Sequence, residues 1–240
     1  MRYVRPFRTD GLAPASEFWL ISPDEDVGCA IRVRRGGAQD VAEARDSERY
    51  AIVLEGRPSL CLASERRSAE PGNILFLPAG ERGVIAGDPD AVWIEIETQV
   101  QDRTGASEAR IVEIDESKFE GDGFAYQALL GRGDGAQGLR MNLMQVQPGA
   151  GSPDFHIHAF AQIYLIENGV MTLDIGRQRC SAPALSLVFL PAGVVHRNFN
   201  ASDKIERHIS LLVPEPSQDS IFDYAVTIEE KEATLLSAIP

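Results

Sequence analysis

The heptapeptide ILFLPAG at 74–80 returns as LVFLPAG at 187–193. Counted on the prolines, the separation is 113 residues (191 − 78). The glycines that end the preceding apolar runs, Gly56 of YAIVLEG and Gly169 of IYLIENG, are also 113 apart (169 − 56). Two anchors sharing one offset mean that the stretch between them is kept without insertion, which chance likeness of two Leu- and Phe-rich runs does not produce. The chain of 240 residues is therefore read as a tandem duplication, a length that suits two small domains. The expected division is 1–103, a linker at 104–110 and 111–240. The polar run QDRTGASEAR (101–110) marks the junction.

Each copy is built of short apolar runs broken by Gly, Pro, Asp and Asn. The first offers CAIRVRR (29–35), YAIVLEG (50–56), NILFLPA (73–79) and VWIEIET (92–98). The second offers LRMNLMQVQ (139–147), QIYLIENG (162–169), VMTLDIG (170–176), LSLVFLP (185–191) and HISLLV (208–213). Several alternate with period two, as in Val92, Ile94 and Ile96, and helical periodicity is sparse. Many short strands with turn residues between them predict an all-β protein of barrels or sandwiches, with few short helices. The segment from 220, SIFDYAVTIEEKEATLLSAI, reads as a strand followed by a short helix.

A formal net charge of −13 argues against nucleic acid as a partner. No basic amphipathic stretch suggests a membrane surface, and no apolar run is long enough to span a bilayer. The start, MRYVRPFRTDGL, has no apolar secretory core. Cys29, Cys61 and Cys180 are few, odd in number and without C-x-x-C spacing, as expected of reduced thiols in a cytoplasmic protein.

Of four histidines none precedes position 156. His156 and His158 form a His-x-His pair, and on a strand such a pair aims both imidazoles at one side. His196 follows the Pro191-Ala192-Gly193 turn and could close the group. Neutral imidazole is the commonest side-chain metal ligand, so the trio predicts a metal site inside a small β-barrel. The alternative is ordinary, partly buried histidine. His208 stands off this pattern, as a surface residue or one behind the site.

These residues resemble the cupin superfamily. Its first motif runs Gly, five residues, His-x-His, three or four residues, Glu, six residues, Gly; here His156, His158, Gln162 and Gly169 follow it. Its second runs Gly, five residues, Pro-x-Gly, two residues, His, three residues, Asn; here Pro191, Gly193, His196 and Asn200 follow it. Ala150 and Leu185 stand where the pattern has Gly, and Gln162 where it usually has Glu. The first copy keeps Gly37, Gly56, Gly72, Pro78 and Gly80, but its ligand positions read Glu43, Arg45, Arg49 and Gly83. The resemblance implies two tandem cupin jelly-roll barrels, with a divalent metal (Fe, Mn, Ni, Cu or Zn) in the second only. The implied ligands are His156, His158 and His196, with Gln162 as a fourth or as a pocket-lining amide.

If even positions face the interior of the second barrel, Gln162 points at the imidazoles and Tyr164 at the pocket, where its hydroxyl could donate a hydrogen bond or a proton. A neutral amide in place of a carboxylate leaves the full charge on the ion. Asn142 and Asn198 are further candidates for the lining, whereas Phe160, Phe189 and Met144 read rather as core residues than as pocket lining. Arg does not deprotonate and cannot ligate a metal, so the first barrel is expected to be a structural partner. Arg45 and Arg49 would alternatively face its interior and hold an anion or pair with Glu43. The expected function is metal-assisted chemistry on a small oxygenated metabolite, dioxygenase-like or isomerase- or cyclase-like. The alternative is a non-catalytic module that binds or senses a small molecule or a metal. The two barrels are expected to pack within the chain, and a homodimer is compatible with the family.

Overall fold

The computed structural model describes residues 3–37, 44–100, 107–217 and 219–228. Glu43, residues 104–106 of the expected linker and nearly all of the expected C-terminal helix lie outside them. Two large antiparallel sheets dominate. One runs, edge to edge, through Arg110–Val112, Ile74–Leu77, Ser47–Glu55, Val92–Gln99, Cys29–Arg35 and Glu17–Ile21. The other runs through Val4–Pro6, Ser186–Leu190, Ala161–Asn168, Glu206–Val213, Arg140–Val146 and Phe124–Leu130. A small sheet closes each into a barrel: Arg66–Ser68, Ser59–Leu62 and Gly83–Ala86 in the first, and Gln178–Pro183, Val170–Ile175, His196–Phe199, His156–Ile157 and Tyr224–Ala225 in the second. The helical content of the described residues is three short 3₁₀ turns. The chain thus forms two tandem jelly-roll barrels of all-β structure.

Side-chain alternation explains why the central strands read as nearly unbroken apolar runs. Tyr50, Ile52, Phe76 and Ile94 leave one large sheet and Met141, Leu143, Ile163 and Phe189 leave the other, and all belong to a single buried cluster. The two large sheets therefore pack face to face within the chain. The opposite parity fills the barrels: Ala51, Val53, Leu75 and Leu77 in the first, and Tyr164, Ile166, Val188 and Leu190 in the second. Phe189 is a core residue of the face between the barrels, because odd positions of its strand point there. Each buried Ile, Leu or Phe contributes about 1.5–3 kcal/mol, so the shared face ties the two copies into one unit.

The sheets cross the expected division of the chain twice. Val4–Pro6 pairs with Ser186–Val188 at the edge of the second barrel. Arg110–Val112 pairs with Ile74–Phe76 at the edge of the first, so strand structure already begins at Arg110 of the polar junction. Each half covers an otherwise open edge of the other. Glu48 of the first barrel adds a polar tie, accepting hydrogen bonds from the backbone N–H groups of Gln137 and Gly138.

The repeated turns explain the offset of 113. Gly56 and Gly169 have φ of 64° and 76°, and a Cβ at either would lie within 3 Å of backbone. Leu185, where the family pattern has Gly, nevertheless holds φ 59°, an unfavourable angle for a residue with a branched side chain. Its equivalent in the first copy, Gly72, has φ 88°.

Candidate metal centre

The strand His156–Ile157 pairs with His196–Phe199, with His156 directly opposite His196. This register, and the alternation that places His158 beside His156, gathers the three imidazoles that the spacing predicts. Ring centroids lie 4.9 Å (His156–His158), 4.4 Å (His156–His196) and 5.1 Å (His158–His196) apart. One ligand nitrogen from each lies within 4.8 Å of the others, and all three residues are buried.

The hydrogen bonds orient the rings. Nδ1 of His156 donates to the Asp154 carbonyl, Nδ1 of His158 to the Phe222 carbonyl and Nδ1 of His196 to the Val194 carbonyl, each at 2.9 Å. A proton on Nδ1 leaves Nε2 as a bare lone pair, the tautomer a metal needs. Burial lowers the pKa of His158, helped by the charge of His156. Burial likewise pushes His196 down to about 4, so the lone pairs are available at neutral pH. His158 Nε2 is buried without a hydrogen-bond partner.

Gln162 lies on Ala161–Asn168 with its side chain inward, and its Oε1 is 3.2 Å from His196 Nε2. With the His196 proton on Nδ1, that contact sets two lone pairs against each other in this orientation of the amide. A cation between them would turn a repulsive contact into a favourable one. Three converging imidazole nitrogens, that of His158 without a partner, and an amide oxygen thus fit a divalent ion of nitrogen and oxygen preference.

His156, His158 and Gln162 border a cavity of about 370 Å³ whose wall also includes Asn142, Met144, Tyr164 and Asn198. Burial raises the Tyr164 pKa above its ordinary value, so the phenol keeps its proton and serves as a donor. Phe160 is not on this wall; it stacks on the His158 ring at 4.7 Å and 14°, holding it from behind. Asn200 donates to the Val146 and Lys204 carbonyls and organises a turn.

Three parts of the site escape the sequence motif. His208 is buried on the cavity wall, not at the surface, and its Nδ1 donates to the Glu206 carboxylate at 2.8 Å. Arg140 lines the same cavity from a strand nearly seventy residues away in sequence from His208 (208 − 140 = 68). The segment around Phe222 supplies the His158 carbonyl partner and places Asp223 Oδ1 3.2 Å from the same nitrogen. Only the sheet register brings these groups together; the period-two alternation of HISLLV was the available sign that His208 shares a face with Ser210.

In the first barrel the equivalent positions are filled differently. Arg49 stands at the place of Gln162 (162 − 49 = 113) and donates through Nη2 to the carbonyl of Gly83 at 2.8 Å. Gly83 stands at the place of His196 (196 − 83 = 113), and a Cβ there would meet Leu62 Cδ2 at 2.9 Å. Arg45 Nη1 lies 3.8 Å from Glu97 Oε2. Cys29 is buried, its thiol pushed up to about 12 by burial, and none of the three cysteines is disulfide-bonded.

Residues 142–212 match the family model described as Cupin domain. The core of the second barrel therefore carries a cupin domain. Solved cupin structures align over most of the chain. A Cupin 2 conserved barrel domain protein from Leptotrichia buccalis is 18% identical with a TM-score of 0.60, covering 82% of this chain and 88% of its own. A single-site mutant of salicylate 1,2-dioxygenase from Pseudoaminobacter salicylatoxidans is 10% identical with a TM-score of 0.67, covering 82% and 76%. Oxalate decarboxylase from Bacillus subtilis, a protein with Mn(II) centres, is 11% identical with a TM-score of 0.63, covering 94% and 79%. At these identities the likeness establishes the fold. No curated protein sequence matches. Among the described residues no helix is long and apolar enough to cross a membrane.

Proposed function

We propose that this cupin holds one divalent metal ion in its second barrel, through His156, His158, His196 and Gln162, and acts on a small oxygenated molecule in the adjoining cavity. The observation that carries the reading is the common hydrogen-bond pattern of the imidazoles. Each commits its Nδ1 proton to a carbonyl and turns its remaining lone pair to one point. Three buried bases without a shared cation would be a cost with no return. When bound, a divalent ion would supply polarisation of a ligand oxygen and, for iron, copper or nickel, electron transfer.

The chain's own residues do the rest. The cavity admits a compact molecule rather than a polymer. Tyr164 offers a protonated hydroxyl. His208 is held by Glu206, so its Nε2 is the remaining site for a proton. Leu212 and Met144 keep part of the wall apolar. The free thiols agree with a reducing, cytoplasmic setting. The dioxygenase and decarboxylase among the structural neighbours favour chemistry over storage.

The test is oxygen consumption and product formation with diketones, catechols and flavonols, using the full chain loaded with iron, manganese, copper, nickel or zinc. Turnover with one metal, lost in His158→Ala, supports the reading. Metal retained with no turnover of any oxygenated ligand that binds reassigns the protein to binding or sensing. Metal content that His158→Ala leaves unchanged overturns the site itself.

A further inference from the structure

The arginines inside the two barrels differ in what faces them. In the first, Arg32 and Arg34 both ion-pair with Glu95, Arg34 Nη1 at 3.0 Å from Oε2, and Arg32 also reaches Glu17. Burial pushes the Glu95 pKa up, yet the two guanidiniums outweigh it and hold the carboxyl below its usual range. That interior charge is internally satisfied. Arg32 pairs across the sheet with Glu95, and Glu95 with Ala51. The same register in the second barrel pairs Asn142 with Ser210, and Ser210 with Tyr164. A serine therefore stands where the first barrel has its carboxylate.

The second barrel still has a cation. Arg140 lies two residues before Asn142 on the same inward face and lines the cavity. Its Nε donates to Asn142 Oδ1 at 3.2 Å; among the described residues it forms no ion pair. Nearby carboxylates are engaged elsewhere: Glu215 accepts from the Arg132 backbone N–H at 2.7 Å and Glu120 from the Tyr126 hydroxyl at 3.0 Å. Arg140 and Gln162 both sit opposite Leu212, one on each side. Two strand spacings, about 9–10 Å of backbone, separate the arginine from the amide that faces the imidazoles. A guanidinium with open donors, in a chain whose net charge is −13, is a specific anion anchor.

We propose that the cavity takes a small carboxylate, its carboxyl group held by the Arg140 guanidinium and the rest of the molecule extending toward the three imidazoles. This rests on the proposed function only in taking the cavity as the ligand site; it does not depend on the metal. Asn142, through Arg140 Nε, aims the fork into the cavity and acts as a positioning residue.

The test is calorimetric titration of the full chain, with metal content measured in the same sample. The ligands are malonate and salicylate, with malonamide and salicylamide as uncharged counterparts. At least one carboxylate binds the wild type, and its amide binds at least tenfold more weakly. Arg140→Gln weakens carboxylate binding at least tenfold while metal content stays the same. Asn142→Asp keeps the arginine but sets a carboxylate against it, and lowers binding by a similar factor. Should Arg140→Gln fail to fold, Asn142→Asp decides alone. Binding that neither substitution changes, or no binding of either carboxylate to the wild type, overturns the proposal. A metal-free chain that still binds in an Arg140-dependent way would sink the metal reading and leave this one standing.

Discussion

Where the second barrel carries His196, the first carries Gly83, and where the second carries Gln162, the first carries Arg49. Both copies keep the strand order, the left-handed glycines at 56 and 169 and the PAG turns. What separates a filled barrel from a hollow one is therefore a handful of inward positions. In the first, Leu62 and Leu77 crowd the place of the third imidazole. Trp93 packs into the same interior, its Nε1 donating to Glu95 Oε2 at 3.3 Å. In the second, Trp93's place beside Val53 on the neighbouring strand corresponds to His208 beside Ile166, and the space opens into the cavity. One copy uses its interior for packing and paired charge, the other for unpaired lone pairs and an open guanidinium. Duplication lets the stable copy support a partner whose interior is costly.

The sharpest way to break the comparison on the stability side is at Glu95. Glu95→Gln leaves two half-buried guanidiniums without their buried carboxylate, with the more exposed Glu17 left to them, and should destabilise the chain by about 3 kcal/mol in chemical denaturation. The sign with pH follows from the lowered pKa. The ion pair's contribution is complete above the ordinary carboxylate range and is lost as pH falls through that range to the folded-state value. Wild type should therefore lose stability on acidification below about pH 4.5, the reference carboxyl range, more steeply than Glu95→Gln. Equal pH dependence in the two proteins would mean that the first barrel is not held by paired charge.

A smaller effect is expected at Gly83. Gly83→Ala places a methyl against Leu62, Leu77 and the Cys61 carbonyl and should cost about 1–3 kcal/mol by overpacking, with metal content unchanged. A neutral substitution would show that the first barrel has room it is not credited with. The smallest effect concerns the support behind the ligands. Deleting residues 219–240 removes the Phe222 carbonyl that orients His158. Metal affinity, read by competition with a chelating dye, should fall roughly tenfold, the usual effect of losing a ligand's hydrogen-bond partner. Undiminished affinity would make that contact incidental.

Much of this was legible in the chain. The repeated heptamer and shared offset give two copies, the alternating apolar runs give strands, and the His-x-His pair with His196 gives the trio. Parity places Gln162 and Tyr164 inward, and the opposite parity puts Phe189 in the core between the barrels. Arg140, Glu206 and His208 were not legible as one site, because no local spacing links them; they meet through the pairing of Arg140–Val146 with Glu206–Val213. The exchange of Val4–Pro6 and Arg110–Val112 between barrels was equally hidden. Three-residue strands carry too little pattern to be seen, and their partners are set by the face-to-face packing of the large sheets.

The account turns on one cation in the second barrel and none in the first. The direct measurement is the number of divalent ions retained per chain after purification without added metal and exhaustive dialysis, in the wild type, His196→Ala and Arg49→Gln. The expected result is one ion per chain in the wild type and in Arg49→Gln, and a trace in His196→Ala. No bound ion in the wild type, or an ion that survives His196→Ala and disappears in Arg49→Gln, would contradict it.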